Sequence, residues 1–167
     1  MITYCNQSIF DFRFNSIIAH GVNCQGVMGS GVAKVMKNEY PEVFFYYKDY
    51  CDRKFDSVLL SDIEKLKYLD SYRSDPLLGV SQLVYINHNL QIANLFTQRH
   101  YGKDGRVYAC KRSINNSLRN LCEQTIFPVV IPKIGCGLGG LNWENDVQPI
   151  VETVASDFSR DFYVCSI

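Results

Sequence analysis

The chain has 167 residues, of which 47% are hydrophobic and 20% are charged, and this composition is typical of a globular protein that buries its own core. The 17 Lys and Arg residues balance the 17 Asp and Glu residues, which disfavours a basic surface for general nucleic-acid binding. The seven cysteines contain no C-x-x-C pair, and none lies at metal-ligand spacing from a histidine. We therefore expect free thiols in a reducing compartment and no bound metal.

The N-terminal segment does not have the basic and apolar pattern of a leader, and no apolar run is long enough to span a membrane. A membrane-spanning helix needs about 18 to 20 apolar residues. We therefore expect neither a signal peptide nor a membrane span. The expectation is a single cytoplasmic domain over residues 1–167.

The first part of the chain predicts two strands and two helices. A short strand at residues 2–5 precedes an apolar strand at residues 16–22, which has no polar alternation and is typical of a strand buried on both faces. Residues 23–33 then form a glycine-rich loop and open a helix that ends near Tyr40. Pro41 begins a second helix, in a position where helices tolerate proline.

The rest of the chain predicts strands that alternate with helices. Residues 87–89 have the composition of a turn, so the strands on either side of it form an antiparallel hairpin. This alternation predicts a three-layer α/β/α sandwich around a mixed, mostly parallel sheet. The remaining predicted elements are strands at 56–62, 81–86 and 91–96, a helix at 107–123, a strand at 127–134, a helix at 145–159 and a strand at 162–167.

Two glycine-rich loops carry the clearest functional signal. Residues 23–33 and residues 135–140 each follow an apolar run, and the first of them opens into a helix. Backbone N–H groups and the positive end of a helix attract anions, and glycine lets a phosphate approach the backbone. Two such loops in one domain predict a ligand with more than one phosphate, or with a phosphate and a sugar.

The loops do not fit the common nucleotide-binding motifs. Residues 135–140 match G-x-G-x-x-G after a strand, but the chain after Gly140 has room for only one helix and one strand. A Rossmann crevice needs further βαβ units. Gly31 is followed by Val32 rather than by the lysine of a P-loop.

A cysteine phosphatase is also disfavoured. Such an enzyme needs a phosphate-binding arginine six residues after its nucleophile, but Ser30 follows Cys24 and Asn142 follows Cys136 at that spacing. Cys136 lies between two glycines, where its thiol either has a lowered pKa near a helix N-terminus or fills space beneath a tight loop.

Polar residues near the first loop are candidate site residues. His20 is either a buried histidine with internal partners, or it reaches the ligand and orients water or relays a proton. Asn23 either forms the turn or donates its amide to a sugar hydroxyl. Arg99, His100 and Tyr101 either line the site or are solvated loop residues.

In this order the segments resemble a macrodomain, and the resemblance covers nearly the whole chain. It is carried by residues 2–10, 18–31, 101–106 and 131–144, the last of which includes the second glycine loop and Trp143. The chain is most similar to the branch, often found in bacteria and bacteriophages, that processes ADP-ribose 1″-phosphate and is related to the terminal-ADP-ribose protein glycohydrolases. For a phage-encoded protein, the expected location is the host cytoplasm.

The resemblance implies that ADP-ribose lies across the carboxyl ends of the strands, with its distal ribose in the first loop and its diphosphate and that ribose in the second. It implies a phosphatase without metal or cofactor, in which His20 and Asn23 are catalytic and position water and the 1″-phosphate. Backbone N–H groups would stabilise the developing charge. The implied ADP-ribose-binding residues are Ser8, Ile9, Asn23, Gly29, Ser30, Gly31, Val32, Gly135, Cys136, Gly137, Leu138, Gly139 and Gly140.

The chain departs from its relatives at functional positions. Relatives usually carry Gly-Asp or Gly-Asn near the end of the first strand, whereas Gln7 and Ser8 stand here, which implies altered adenine recognition. The glycohydrolase relatives use a lysine after the hairpin and an aspartate inside the second loop, but the matching positions here are Gln98 and Gly139. The covalent lysine mechanism is therefore not available.

Three functions follow from the resemblance as alternatives. The first is hydrolysis of ADP-ribose 1″-phosphate to ADP-ribose and phosphate. The second is a non-catalytic module that binds or sequesters ADP-ribose or a related nucleotide. The third is removal of ADP-ribose from macromolecules without the lysine and aspartate pair. The expected partners are the small nucleotide or ADP-ribosylated macromolecules, with no membrane partner, and we expect a monomer.

Overall fold

A computed structural model describes residues 1–12, 15–53 and 75–166. Within these residues the chain forms strands and helices in the alternation that the sequence predicts. In chain order the elements are β1 (Ile2–Ser8), β2 (Ser16–Asn23), α1 (Gly31–Glu39), α2 (Pro41–Asp52), β3 (Ser81–Asn87), β4 (Leu90–Gln98), α3 (Lys111–Gln124), β5 (Val129–Ile131), α4 (Gln148–Asp157) and β6 (Phe162–Ser166).

The strands form one six-stranded sheet in the order β1-β6-β5-β2-β4-β3. Every neighbouring pair is parallel except β3 and β4, which form the predicted antiparallel hairpin. The sheet is therefore mixed and mostly parallel, as predicted. Its five parallel strands end at the same edge.

Helices cover both faces of the sheet. On one face α1 and α2 pack through buried residues that include Met36, Val43 and Tyr47. On the other face α3 and α4 pack through residues that include Leu118 and Val151. The predicted three-layer α/β/α sandwich is confirmed, and its two covered faces explain why β2 is apolar on both sides.

Several element boundaries differ from the prediction. β1 continues past residue 5, because Ser8 still pairs with Ser166 of β6 beyond an irregularity in the register. α3 begins at Lys111 rather than at residue 107, because Ala109 bridges to Gln98 of β4. The preceding residues are thus held by β4 before the helix starts.

The elements near the C-terminus also start and end differently. β5 covers only Val129–Ile131, and the chain then turns, with Ile134 N–H donating to Pro132 O at 2.8 Å. The last helix is preceded by a π-helical segment, Trp143–Val147, so the helical region begins two residues earlier than predicted. The predicted strand at 56–62 lies outside the described residues.

None of the helices in the described part of the chain has the length and hydropathy needed to cross a bilayer. The longest, α3, has 14 residues and carries polar side chains along its exposed face. A spanning helix needs about 20 residues.

Arg160 joins the end of α3 to the strand that follows. Its buried guanidinium donates hydrogen bonds to the carbonyl oxygens of Cys122 at 3.2 Å, Thr125 at 2.5 Å and Phe127 at 3.2 Å. A cation at the C-terminus of a helix satisfies carbonyls that have no intrahelical partner. Arg160 thereby fixes the connection that leads into β5 and the second glycine loop.

We expect Arg160→Met to lower the free energy of unfolding by about 2–4 kcal/mol, because it leaves three carbonyl oxygens without their charged donor. Urea denaturation measures this change. Arg53→Met is the matched control, since the ion pair that Arg53 forms within the described residues, with Asp49 at 3.7 Å, is exposed. Such pairs contribute roughly 0–1 kcal/mol. Equal effects of the two substitutions would contradict the role assigned to Arg160.

Candidate ligand-binding site

A cavity of about 440 Å³ lies at the carboxyl edge of β2, β4 and β5. Both glycine loops contribute to its wall, and the ends of β2 and β4 form its floor. The sequence prediction that both loops serve one site agrees with this arrangement. The lining residues are Gly21, Val22, Asn23, Val27, Gly29, Ser30, Gly31, Val32, Ala33, Thr97, Gln98, Tyr101, Gly102, Lys103, Pro132, Lys133, Ile134, Gly135, Gly137, Leu138 and Gly139.

The Asn23 side chain holds the first glycine loop in shape. Its Oδ1 accepts hydrogen bonds from Gln25 N–H at 2.9 Å and from the buried Tyr47 hydroxyl at 2.8 Å, and its Nδ2 donates to Val27 O at 2.8 Å. Burial raises the pKa of Tyr47, so this hydroxyl stays protonated. An amide nitrogen has two N–H groups, and one of them is left for a ligand in the cavity that Asn23 lines.

The second glycine loop is closed by backbone hydrogen bonds. Leu141 N–H donates to Gly135 O at 2.9 Å, and Gly139 O accepts from both Tyr108 N–H and Ala109 N–H at 3.0 Å. Gly135 adopts φ 75°, a conformation that L-residues with side chains rarely adopt. The loop therefore closes on itself and on the segment that precedes α3.

The cavity has a positive lining. Among the described residues that line it, the charged ones are Lys103 and Lys133, and none is an Asp, a Glu or a His. Lys133 Nζ lies 3.6 Å from Glu144 Oε1, an exposed pair that partly offsets its charge. A lining of backbone N–H groups and lysines, without carboxylates, favours an anionic ligand.

A second cavity, of about 600 Å³, adjoins the first over the ends of β1 and β6. Both cavities are lined by Lys133 and Gly137, so they meet at the second glycine loop. Together they follow the edge of the sheet from β1 to β4, a span of four strand spacings or roughly 19 Å. The residues that line the second cavity are Tyr4, Cys5, Asn6, Lys133, Cys136, Gly137, Val164, Cys165 and Ser166.

His20 does not line either cavity. Its side chain is completely buried among the residues between the sheet and α1 and α2, and its Nε2 lies 2.7 Å from Asn94 Oδ1. Asn94 Nδ2 donates in turn to Gln82 Oε1 at 3.1 Å, and Gln82 Nε2 donates to Tyr46 O at 3.0 Å. Because an Asn oxygen only accepts, His20 carries its proton on Nε2. This position matches the first alternative given for His20, a buried histidine with internal partners, and does not support the direct role at the ligand that the resemblance implies.

Of the other predicted site residues, some line a cavity and some do not. Ile9 is fully buried, and Ser8 uses its hydroxyl to accept a hydrogen bond from Phe10 N–H at 3.3 Å, so neither lines the two cavities. Gly140 does not line either cavity. Cys136 lines the second cavity, where burial raises the pKa of its thiol to about 11. A raised pKa opposes the hypothesis of an activated Cys136 thiolate.

The lysines and the floor of the cavity are the residues that sequence reasoning missed. Thr97 and Gln98 end β4 beside Asn23, and Lys103 belongs to the loop that follows. Tyr101 lines the cavity, whereas Arg99 and His100 do not. The sequence shows that the loop after β4 is rich in hydrogen-bonding side chains. It does not show which of these side chains face the site.

A three-layer sandwich with two glycine loops over the carboxyl ends of a mixed sheet is the architecture expected of a macrodomain. Residues 19–150 match the model of the Macro domain family. The chain belongs to this family.

The relatives of this chain include an ADP-ribose 1″-phosphate phosphatase and a DNA ADP-ribosyl glycohydrolase. Over 165 residues the chain is 30% identical to an ADP-ribose 1″-phosphate phosphatase of Debaryomyces hansenii, with 87% of this chain and 84% of that protein covered. Over 151 residues it is 28% identical to a DNA ADP-ribosyl glycohydrolase of Mycobacterium tuberculosis, with 90% of this chain but only 38% of that protein covered. The chain thus spans little more than a third of the length of the glycohydrolase.

The macrodomain of Mycobacterium tuberculosis DarG has the same fold. The two structures align with a TM-score of 0.73 at 26% sequence identity, and the alignment covers 100% of this chain and 98% of that one. The sandwich formed by the described residues therefore has the fold of a solved macrodomain.

We expect Gly139→Ala to lower the free energy of unfolding by about 1–3 kcal/mol, because overpacking displaces backbone. An added Cβ would lie 2.6 Å from Gly135 O and 2.9 Å from Ala109 Cβ. Gly137→Ala is the control, since its Cβ would meet no atom within 4 Å. Thermal or urea unfolding should leave the Gly137 variant unchanged or up to about 1 kcal/mol more stable. If Gly137→Ala were destabilising and Gly139→Ala were not, the close packing of the second glycine loop around Gly139 would be contradicted.

The buried His20 predicts a specific dependence of stability on pH. Burial lowers the pKa of His20 to about 4, against the opposing hydrogen bond with Asn94, whereas an unfolded histidine titrates near 6.5. The unfolded chain therefore binds the proton first, and stability falls as the pH decreases from about 6.5 to about 4. The total contribution is about 3 kcal/mol.

His20→Asn should remove this contribution from the stability–pH curve measured by urea denaturation. His88→Asn, in the exposed turn between β3 and β4, should leave the slope between pH 4 and 6.5 as in the wild type. An unchanged slope in the His20 variant would show that the imidazole is not buried as a neutral group.

Proposed function

We propose that this macrodomain binds ADP-ribose 1″-phosphate and hydrolyses it to ADP-ribose and phosphate. The observation that carries the proposal is a cavity with two glycine loops and two lysines on its wall and, among the described lining residues, no carboxylate. A ligand with several phosphates fits this charge distribution, because each phosphate finds backbone donors or an ammonium group.

The order of the strands suggests how the ligand lies. The second cavity, over β1 and β6, takes the adenosine end in this proposal. The second glycine loop and Lys133, where the two cavities meet, then face the diphosphate. Asn23 and the first glycine loop face the distal ribose, with residues 29–32 supplying backbone N–H groups.

The relative from Debaryomyces hansenii supports the choice of reaction. It is named as an ADP-ribose 1″-phosphate phosphatase, and the alignment covers most of both proteins. The glycohydrolase of Mycobacterium tuberculosis is covered over a smaller share of its length. Gln98 and Gly139 line the cavity at the positions where the resemblance places the glycohydrolase lysine and aspartate, which disfavours the glycohydrolase mechanism here.

In the proposed reaction, water attacks phosphorus and the bond between phosphorus and the C1″ oxygen breaks. Backbone N–H groups of the first loop and the lysine ammonium groups stabilise the charge on the phosphoryl oxygens. The remaining N–H of Asn23 and the polar ends of Thr97 and Gln98 orient the ribose and the water. Catalysis rests on positioning and charge stabilisation. The attacking water leaves with the released phosphate, which keeps its protons or passes them to solvent, and the sugar oxygen takes a proton from solvent.

The same lining supports a second candidate function, which is binding of ADP-ribose without chemistry. No described lining residue is a His, an Asp or a Glu, the usual groups for general acid–base catalysis. His20, the candidate acid–base residue of the sequence, lies inside the protein. A site of this kind keeps the backbone N–H groups and lysines that bind anions, and it lacks a proton-transfer group.

Calorimetry with ADP-ribose and a phosphate-release assay with ADP-ribose 1″-phosphate, both in the presence of a chelator, separate these functions. We expect the wild type to bind ADP-ribose and to release phosphate. Because His20 lies away from the cavity, His20→Asn should keep phosphate release within about threefold of the wild type, less than the tenfold that 1.4 kcal/mol represents.

The outcomes of this experiment are distinct. Binding of ADP-ribose without phosphate release would support the non-catalytic module and reject the phosphatase. No binding of either ligand would reject ADP-ribose as the ligand class. Loss of turnover in the His20 variant, with folding and ADP-ribose affinity retained, would restore His20 as a catalytic residue.

A further inference from the structure

We propose that Lys103 selects the terminal phosphate of the ligand and so distinguishes ADP-ribose 1″-phosphate from ADP-ribose. Lys103 lies in the loop after β4 and lines the first cavity beside Gln98. The inference rests on the proposed function, since it concerns the same site. It assigns a specificity-determining role to a residue that is not among the ligand-binding residues implied by the sequence.

Lys103 is the cation of the first cavity that has no counter-ion among the described residues. Lys133 lies 3.6 Å from Glu144, which offsets its charge. In the loop itself, Asp104 Oδ2 lies 2.8 Å from Arg106 Nε, so those two charges neutralise each other. This leaves Arg99 and Lys103 as the other cations of the loop, and of these two Lys103 is the one that lines the cavity.

The loop that carries Lys103 has a defined shape. Asp104 Oδ1 accepts hydrogen bonds from the Tyr108 hydroxyl at 2.8 Å and from Arg106 N–H at 3.2 Å, and the Tyr108 contact holds the pKa of Asp104 below its usual value. Gly102 packs against the same tyrosine so closely that an added Cβ would lie 2.1 Å from its hydroxyl oxygen. These contacts place the two residues on either side of Lys103.

The loop is also tied to the second glycine loop. Tyr108 N–H donates to Gly139 O at 3.0 Å, which joins the segment after Lys103 to the second glycine loop, where Gly139 also lines the cavity. Lys103 therefore keeps its place relative to the groups that the proposal assigns to the diphosphate and the distal ribose.

The position of Lys103 along the sheet matches the end of the ligand that differs. In the strand order β1-β6-β5-β2-β4, the second cavity lies over β1 and β6, Lys133 follows β5, and Lys103 follows β4. With the adenosine end over β1 and β6, C1″ of the distal ribose lies toward β4. A phosphate monoester carries about −1.5 to −2 charges at neutral pH, whereas ADP-ribose has an uncharged hydroxyl at that carbon.

The test compares the two ligands in the wild type and in Lys103→Gln. We expect the variant to weaken binding of ADP-ribose 1″-phosphate by about 10- to 100-fold, the loss typical of one charge-assisted hydrogen bond. ADP-ribose affinity, measured by calorimetry, should change by less than about twofold, because solvent-exposed charges contribute little to binding. Where the 1″-phosphate is hydrolysed, KM and kcat from initial rates replace its calorimetric Kd.

Two further variants make the comparison specific. Lys103→Arg keeps the positive charge and should retain the preference for the 1″-phosphate within about threefold, because guanidinium also binds phosphate. Lys34 lies in α1, lines neither cavity and has no ion pair among the described residues. Lys34→Gln therefore removes one positive charge away from the site and should change the affinity for neither ligand.

Equal weakening of both ligands in Lys103→Gln, or no weakening of either, would overturn the assignment. The same holds if Lys34→Gln reproduces the selective loss, since the effect would then come from net charge alone. A wild type that binds ADP-ribose but shows no preference for its 1″-phosphate overturns the selectivity and leaves ADP-ribose binding in place. A wild type that does not bind ADP-ribose at all refutes the proposed function, and the inference with it.

Discussion

The parallel alignment of five strands is the constraint on which the site depends. β1, β6, β5, β2 and β4 run in one direction, so their carboxyl ends meet at one edge of the sheet. Residues far apart in sequence, such as Asn23, Thr97 and Lys133, therefore line one cavity. In open α/β sheets this edge is where ligands bind, because loops of different strands converge there. Reversing any one of β2, β4 or β5 would move its loop to the opposite side of the molecule.

Backbone hydrogen bonds then hold the converging loops together. Gly139 O accepts from two successive N–H groups before α3, and Cys110 N–H donates to Thr97 O at 2.9 Å. The second glycine loop, the start of α3 and the end of β4 are thus linked without any side chain. The shape of this part of the wall depends on glycines that leave no room for a Cβ, more than on the identity of the side chains around them. Side chains that face the cavity, Lys103 among them, are then free to determine which ligand is preferred.

Local patterns in the sequence predict much of this molecule, and tertiary contacts explain the rest. β2, the hairpin of β3 and β4, and both glycine loops are predictable because hydrophobic runs and turn residues mark them directly. α3 starts later than the sequence predicts, because residues before Lys111 bond to β4 and to the second loop. The side of the sheet to which His20 points was not predictable, since a strand that is apolar on both faces has no alternation to reveal it.

The site residues divide in the same way. Asn23 and most of the glycines were predictable from a turn after a buried strand, and they line the cavity. Lys103 was not, because its direction follows from the contacts of Asp104 and Tyr108 rather than from spacing. Ser8 was expected at the ligand from family resemblance alone, and the structure places its hydroxyl at the cap of a short turn.

The chain of hydrogen bonds from His20 through Asn94 to Gln82 has a consequence for how the strands align. His20 pairs with Asn94 across β2 and β4, and Asn94 pairs with Gln82 across β4 and β3. A slip of one residue between these strands would set buried amide and imidazole groups against apolar neighbours, and unpaired buried polar groups are costly. The ladder thus favours one register, in which Asn23 and Gln98 stand side by side at the ends of their strands. His20 does not line the cavity, but its hydrogen bond helps to align the ends of β2 and β4, which form the cavity floor.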